Sequence, residues 1–167
     1  EQKSVGRTYT THRLLIKKTE IFKIVRNLCE EAAFKARRMN LCGRYVGFAL
    51  RGDNDSFWGH RTLVTYINDG KKLFDLCELI SQNWKLNNVI FCGVTLGMLT
   101  YNKYQTIPIF NDEAKKNKLV QSVDVINEHF GEYTVFPAQL LGMPIVMPEV
   151  TGFFGDRKYQ LSKMEKL

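Results

Sequence analysis

Asp53 and Asp55 flank Asn54, and carboxylates so close invite a metal reading. Phosphoryl transfer with two Mg²⁺ ions needs carboxylates placed to bridge a triphosphate and the attacking hydroxyl. This pair has no acidic partner at EF-hand spacing, and an Asp-Asn-Asp run between apolar stretches reads as a turn. The chain carries no phosphate-cradling GxxxxGK[ST] segment, and no Ser or Cys stands beside a histidine as a nucleophile would. Cys29, Cys42, Cys77 and Cys92 form no CxxC pair, and His12, His60 and His129 are equally dispersed. Scattered thiols among apolar residues point to core cysteines in a reducing cytoplasmic setting, not to a metal site. The expectation is therefore a chain with no catalytic residues, no metal and no cofactor of its own.

Arginine is the chemistry that remains. Residues 1–104 hold 17 Lys and Arg against 9 Asp and Glu, a net +8, whereas residues 105–167 hold 7 against 8, a net −1. The positive charge of the whole chain, +7, thus lies in its first part. A polyanionic partner would bind there. No uncharged apolar run approaches the roughly 20 residues of a membrane span. The chain opens on Glu1 with no basic and apolar leader at its start, and the expectation is a piece cut from a longer protein.

The elements that must position these arginines follow from periodicity. Thr8 to Leu15, rich in β-branched and aromatic residues, suits a strand. From Thr19, a candidate N-cap, Ile21, Ile24, Val25, Leu28, Ala32 and Met39 recur near the 3.6-residue period, and Arg37 and Arg38 close the helix favourably for its dipole. Arg44 to Arg51 alternates Val46, Phe48 and Leu50 with Tyr45, Gly47 and Ala49, a strand with one large apolar face. Phe57 to Tyr66 reads as a third strand. Asn68 and Asp69 open a second helix carrying Leu73, Leu76, Cys77, Ile80 and Trp84 on one face, and Ile90, Cys92, Val94 and Leu96 lie on one side of a fourth strand.

The order β-α-β-β-α-β predicts an α+β, ferredoxin-like domain: two helices on one face of a four-stranded antiparallel sheet, the other face open. Tyr45, Gly47, Ala49, Gly93 and Thr95 then point to the open face. Small residues there would admit another backbone, with Arg13, Arg44, Arg51 and Arg61 flanking them to meet phosphates. On this reading, reversing Arg44 and Arg61 to Glu abolishes binding to nucleic acid.

Past Tyr101 the segment NKYQTIPIFNDEAKKNK reads as a linker and a domain boundary. Residues 1–7 are assigned to the end of an interdomain linker, 8–101 to the sheet domain, 102–111 to a second linker and 112–167 to a C-terminal helix and tail. Asn111 caps that helix, which carries Leu119, Val123, Ile126 and Phe130 and ends at Gly131, and Tyr133 to Phe136 is strand-like. The tail is too short for its own core and is expected to pack on a neighbour or be partly mobile.

Three segments resemble the C-terminal half of Y-family (UmuC-type, ImpB/MucB/SamB) translesion DNA polymerases. Lys3-Ser4-Val5-Gly6 is similar to the KS[IV]G entry to the family's little finger, His60-Arg61-Thr62-Leu63 to its R-T-[LF] strand, and Cys92-Gly93-Val94-Thr95-Leu96 to its [LI]-G-V-R-[LF] strand. The resemblance implies that residues 8–101 are a little finger binding primer-template (damaged) DNA without sequence specificity during translesion synthesis, DNA repair and the SOS response. It implies contacts at Arg7, Thr10, Arg13, Arg44, Gly47, Arg51, Arg61, Thr62, Gly93 and Thr95. It also implies that the catalytic palm, with its Mg²⁺, lies before Glu1, so this piece alone is not an enzyme although its parent is a DNA polymerase. Gln105, Ile107, Ile109 and Phe110 stand where UmuC-type members carry a peptide that binds the sliding clamp, with Pro108 in place of the usual aliphatic residue. Where some members place Arg on the last strand, this chain has Phe91 and Thr95. The surroundings implied are cytoplasmic, beside the nucleoid.

Two other readings compete. An RNA-recognition module shares the element order and would stack bases on Tyr45 and Phe91, but the loose RNP1-like RYVGFALR lies on the second strand instead of the third. A protein-interaction piece would use the tail and QTIPIF and bind no DNA.

Overall fold

The computed structural model describes residues 3–85, 88–104, 111–131 and 133–142. β1 (Ser4–Leu15) leads into α1 (Lys18–Arg38), followed by the hairpin of β2 (Leu41–Arg51) and β3 (Ser56–Ile67), α2 (Gly70–Ile80), β4 (Val89–Gly97), a two-residue β5 (Thr100–Tyr101) and α3 (Asn111–Phe130). The expected order of strands and helices is present. β1 begins four residues before the predicted start and so takes Arg7 out of the assigned linker. β5, which periodicity did not disclose, pairs with Leu41 and Cys42 of β2.

The main strands run β1-β4-β2-β3, all neighbours antiparallel. Each β-α-β unit is split by one strand, since β4 lies between β1 and β2, and β2 lies between β3 and β4. α1 and α2 cover one face. Their apolar stripes meet Val46, Phe48 and Leu50 of β2 and Cys92, Val94 and Leu96 of β4, all at most 1 % exposed. Such burial stabilises by roughly 1.5–3 kcal/mol per large side chain, which holds the pleat in its register.

Local chemistry explains the element ends. Lys17, not Thr19, is the N-cap of α1 and makes no side-chain cap, because its ammonium can donate but not accept a hydrogen bond from the helix amides. Asp69 caps α2 by accepting from the Lys72 amide at 2.8 Å. Asn40 adopts φ 56°, the left-handed conformation Asn tolerates, and reverses the chain from α1 into β2. Trp84, expected on the α2 face, lies beyond that helix: the Ser81 hydroxyl donates to the Cys77 and Glu78 carbonyls, the chain turns, and Trp84 is buried against Phe22. All four cysteines are buried and free. Burial raises the Cys29 thiol well above its ordinary value, Cys77 adding to the effect, and pushes Cys92 up to about 12.

The C-terminal part docks on α1 through polar contacts. Arg37 grips Asp124 of α3 with a two-bond fork of 2.5 and 2.7 Å, Arg38 meets Glu128 at 3.3 Å, and Arg26 donates to Gln139 at 3.0 Å. Tyr133 to Phe136 forms a turn and bend in place of the predicted strand-like segment. The Asn127 side chain accounts for this, because its amide takes both the N–H (2.8 Å) and the C=O (2.9 Å) of Val135, the groups a strand would offer a neighbour.

Glu30, in an i,i+4 ion pair with Arg26, has its carboxyl raised above the usual 4.5, chiefly by burial and against the pull of Arg26 and Arg37. The folded state therefore holds this proton more tightly than the unfolded chain does. The stability Glu30 contributes is fully present below about pH 4.5 and is lost as pH rises through the raised folded value. Glu30→Gln abolishes this titration, so wild type should lose stability relative to the variant as pH rises above 4.5. Thermal unfolding of both proteins across that range measures it.

Candidate nucleic-acid interface

Strand register places sixteen residues on the open face as a four-by-four lattice. Reading from β1 across β4 and β2 to β3, the rows are Ser4-Gly97-Tyr45-Thr62, Gly6-Thr95-Gly47-His60, Thr8-Gly93-Ala49-Trp58 and Thr10-Phe91-Arg51-Ser56. Thr10, Gly47, Arg51, Thr62, Gly93 and Thr95, six of the predicted site residues, are thus brought together on one surface. β1 and β3 are its edges, and an edge strand leaves alternate backbone amides without a strand partner.

Gly47 and Gly93 do not present open backbone. A Cβ on Gly47 would lie 3.3 Å from the Tyr45 ring, and one on Gly93 3.2 Å from the Phe91 ring. Both glycines are buried beneath those rings, so their smallness seats an aromatic side chain. On β3 a second layer of rings follows. His60 stacks on Tyr45 with centroids 5.4 Å apart and planes at 23°, and Trp58 lies 4.8 Å from His60 at 41°. Trp58 is 62 % exposed.

The arginines separate into two groups. Arg51 points outward, its guanidinium 5.2 Å from the Phe91 ring centroid. Arg7 pairs with core residue Val94 and therefore faces the helices, 3.5 Å from the Glu31 carboxylate of α1. Glu31 also accepts from Asn27 at 2.9 Å and from the Tyr133 hydroxyl at 2.8 Å. Arg61 pairs with buried Val46, so it has helix-side register, yet at the edge of the sheet it is solvent-exposed. Arg44 is half-buried, alternates with Tyr45 and lies 5.8 Å from the Tyr66 ring centroid, with its Nε buried. Arg13 lies beyond the regular β1–β4 pairing, 77 % exposed and 3.3 Å from Glu20. Of the four arginines expected to flank the small-residue face, only Arg51 belongs to the lattice. An arginine's face is set by the neighbouring strand and helix as well as by its own strand.

Trp58 and His60 lie on this face and were not among the residues expected there. The signal was present in the alternation Ser56, Trp58, His60, Thr62, opposite in parity to Phe57 and Gly59. The Asp53–Asp55 segment is a turn: the Gly52 amide donates to the Asp55 carbonyl at 2.8 Å and the Asp53 amide to Asn88 at 3.1 Å. Gln105, Ile107, Ile109 and Phe110 lie outside the described residues. Among the described residues no helix is long and apolar enough to cross a membrane.

The fold and this face define an α+β domain whose accessible surface is one side of an antiparallel sheet, hydroxyl-bearing, aromatic and edged by arginine. The chain belongs to the impB/mucB/samB family of Y-family polymerases, whose C-terminal domain model matches residues 2–108. A domain of unknown function (DUF8425) matches residues 60–166. DNA polymerase IV 2 of Halalkalibacterium halodurans is 25 % identical over 140 residues, covering 81 % of this chain and 34 % of the relative. DNA polymerase IV of Pelotomaculum thermopropionicum is 26 % identical over 154 residues, covering 90 % and 38 %. The chain thus spans about a third of the length of these relatives. Two solved structures are similar at 21 % identity: a post-insertion binary complex of Dbh DNA polymerase (TM-score 0.48, covering 59 % of this chain and 29 % of that one) and a Y-family chimera of Dbh and Dpo4 (TM-score 0.49, 61 % and 30 %).

Proposed function

We propose that this domain grips primer-template DNA by its backbone, without reading sequence, for a Y-family DNA polymerase in translesion synthesis and DNA repair. The palm and its Mg²⁺ belong to another part of the parent protein, and this piece binds without catalysing. The observation that carries the reading is a coincidence of boundaries: the family match, residues 2–108, overlies the stretch that holds the net +8, residues 1–104. Arg51 on the lattice and Arg61 at the β3 edge reach phosphates, and Arg13 extends the charge beyond the regular pairing. Thr10, Thr62 and Thr95 offer hydroxyls, and the sheet edges offer amides. Arg7 and Arg44 support the face from within, and Gly47 and Gly93 seat its rings. The segment Gln105 to Phe110 docks on the sliding clamp, and a clamp pull-down unchanged by Gln105→Ala with Phe110→Ala removes that part of the proposal.

Fluorescence anisotropy of labelled primer-template DNA at several salt concentrations tests the grip. Each phosphate neutralised contributes a slope of about −0.9 in log K against log salt, or roughly tenfold in affinity at 0.1 M. Arg51→Glu with Arg61→Glu should therefore weaken duplex binding about 100-fold and flatten the slope by about 2. Unchanged affinity in the double variant would show that this face is not the one in contact.

A further inference from the structure

We propose that the Tyr45–His60–Trp58 ring cluster is a stacking site for unpaired nucleobases of single-stranded DNA, distinct in its chemistry from the backbone grip on duplex. The inference rests on the DNA-binding reading above and adds a second ligand form to the same face. A tryptophan 62 % exposed on a sheet contributes little to the core, and here it does not stand alone. The rings of Tyr45, His60 and Trp58 form a contiguous series, His60 stacked on Tyr45 with centroids 5.4 Å apart and Trp58 tilted against His60 at 4.8 Å.

Register leaves room beside that surface. Trp58 pairs with Ala49, so the nearest cross-strand side chain beside the indole is a single methyl, and beyond it the Phe91 ring lies over Gly93. The trough is bounded by the Tyr45 ring on one side and by Phe91 with Arg51 on the other. Arg51 stands one row along from Trp58, about 7 Å in strand rise, close enough to hold the phosphate attached to a stacked base. A base in a duplex has both faces covered by its neighbours. Only an unpaired base can offer a free face to the rings, and every base has one, so the site is indifferent to sequence. The occupant is argued from charge, since the net +8 of residues 1–104 favours a polyanion over an apolar protein segment.

The chain has two tryptophans, and the other, Trp84, is 7 % exposed, so a change in emission at a DNA-binding surface reports Trp58. Titration with a short oligo(dT) should quench that emission. Trp58→Ala should lose on the order of tenfold in affinity for oligo(dT), while keeping its affinity for blunt duplex within about twofold, and Trp58→Phe should retain most of the single-strand affinity. Duplex binding with no quenching by oligo(dT), or oligo(dT) affinity unchanged in Trp58→Ala, overturns the stacking site and leaves the backbone grip intact. Quenching by oligo(dT) without duplex binding keeps the stacking site and removes the grip, and binding of neither removes both. Oligo(U) bound more tightly than oligo(dT) overturns the assignment to DNA in favour of RNA.

Discussion

Glu31→Ala should destabilise the domain by about 3–5 kcal/mol, a large part of the 5–15 kcal/mol that holds a typical domain together. The Glu31 side chain is 8 % exposed and gathers three groups, two of them from distant parts of the chain: Arg7 of β1, Asn27 one turn back on α1, and the Tyr133 hydroxyl beyond α3. Taking away the carboxylate removes this counter-charge from a guanidinium with only 15 % of its side chain exposed, and removes one hydrogen-bond acceptor each from Asn27 and Tyr133. The urea midpoint should fall with little change in slope. Arg7→Ala should act on the same network, so the double variant should cost less than the sum of the two single ones. The pair also separates two roles for Arg7. Folded Arg7→Ala protein that binds duplex DNA like wild type assigns Arg7 to the architecture of the sheet, whereas a loss in proportion to that of Arg51→Glu would return it to the interface.

Phe48→Ala should cost a further 3–5 kcal/mol of the same total, for a different reason. Phe48 lies mid-way along a central strand, fully buried, with Val94 and Gly59 as its cross-strand partners and the Phe57 ring 6.1 Å away edge-on. Gly59 cannot grow to fill the void, since a Cβ there would meet Ile80 at 2.5 Å. The hole therefore stays. For a domain of this size each kcal/mol shifts Tm by about 4–8 °C, so thermal unfolding should move down by 12 °C or more. Below its transition the variant should bind duplex DNA as wild type does, because Phe48 faces the helices and the lattice lies on the other side. Weakened binding in fully folded Phe48→Ala protein would mean that the two faces are coupled.

Much of the scaffold was legible in the sequence because it follows from periods of 2 and 3.6. Val46, Phe48 and Leu50 announce both a strand and its buried side, and with them the outward parity of Tyr45, Gly47 and Ala49. Ile21, Ile24, Val25 and Leu28 announce a helix with one apolar stripe. The motifs around Ser4, Arg61 and Gly93 carried the family. Short-range signals failed where a side chain replaced a backbone partner. Tyr133 to Phe136 looks like a strand by composition, but Asn127 meets its hydrogen bonds and no strand forms.

Alternation along single strands, helical period, charge segregation and turn chemistry were thus determined by the sequence alone, since each depends on residues a few positions apart. Which residues share a surface was decided by tertiary structure. Arg7 and Arg51 are both arginines on strands of the basic half, yet one ends against Glu31 under the sheet and the other beside Phe91 above it. The stacked rings meet only because the β2–β3 register sets His60 opposite Gly47 and Trp58 opposite Ala49. A shift of that pairing by one residue would turn the same rings to the helix side, and the energy that forbids the shift comes from the buried residues of all four strands together.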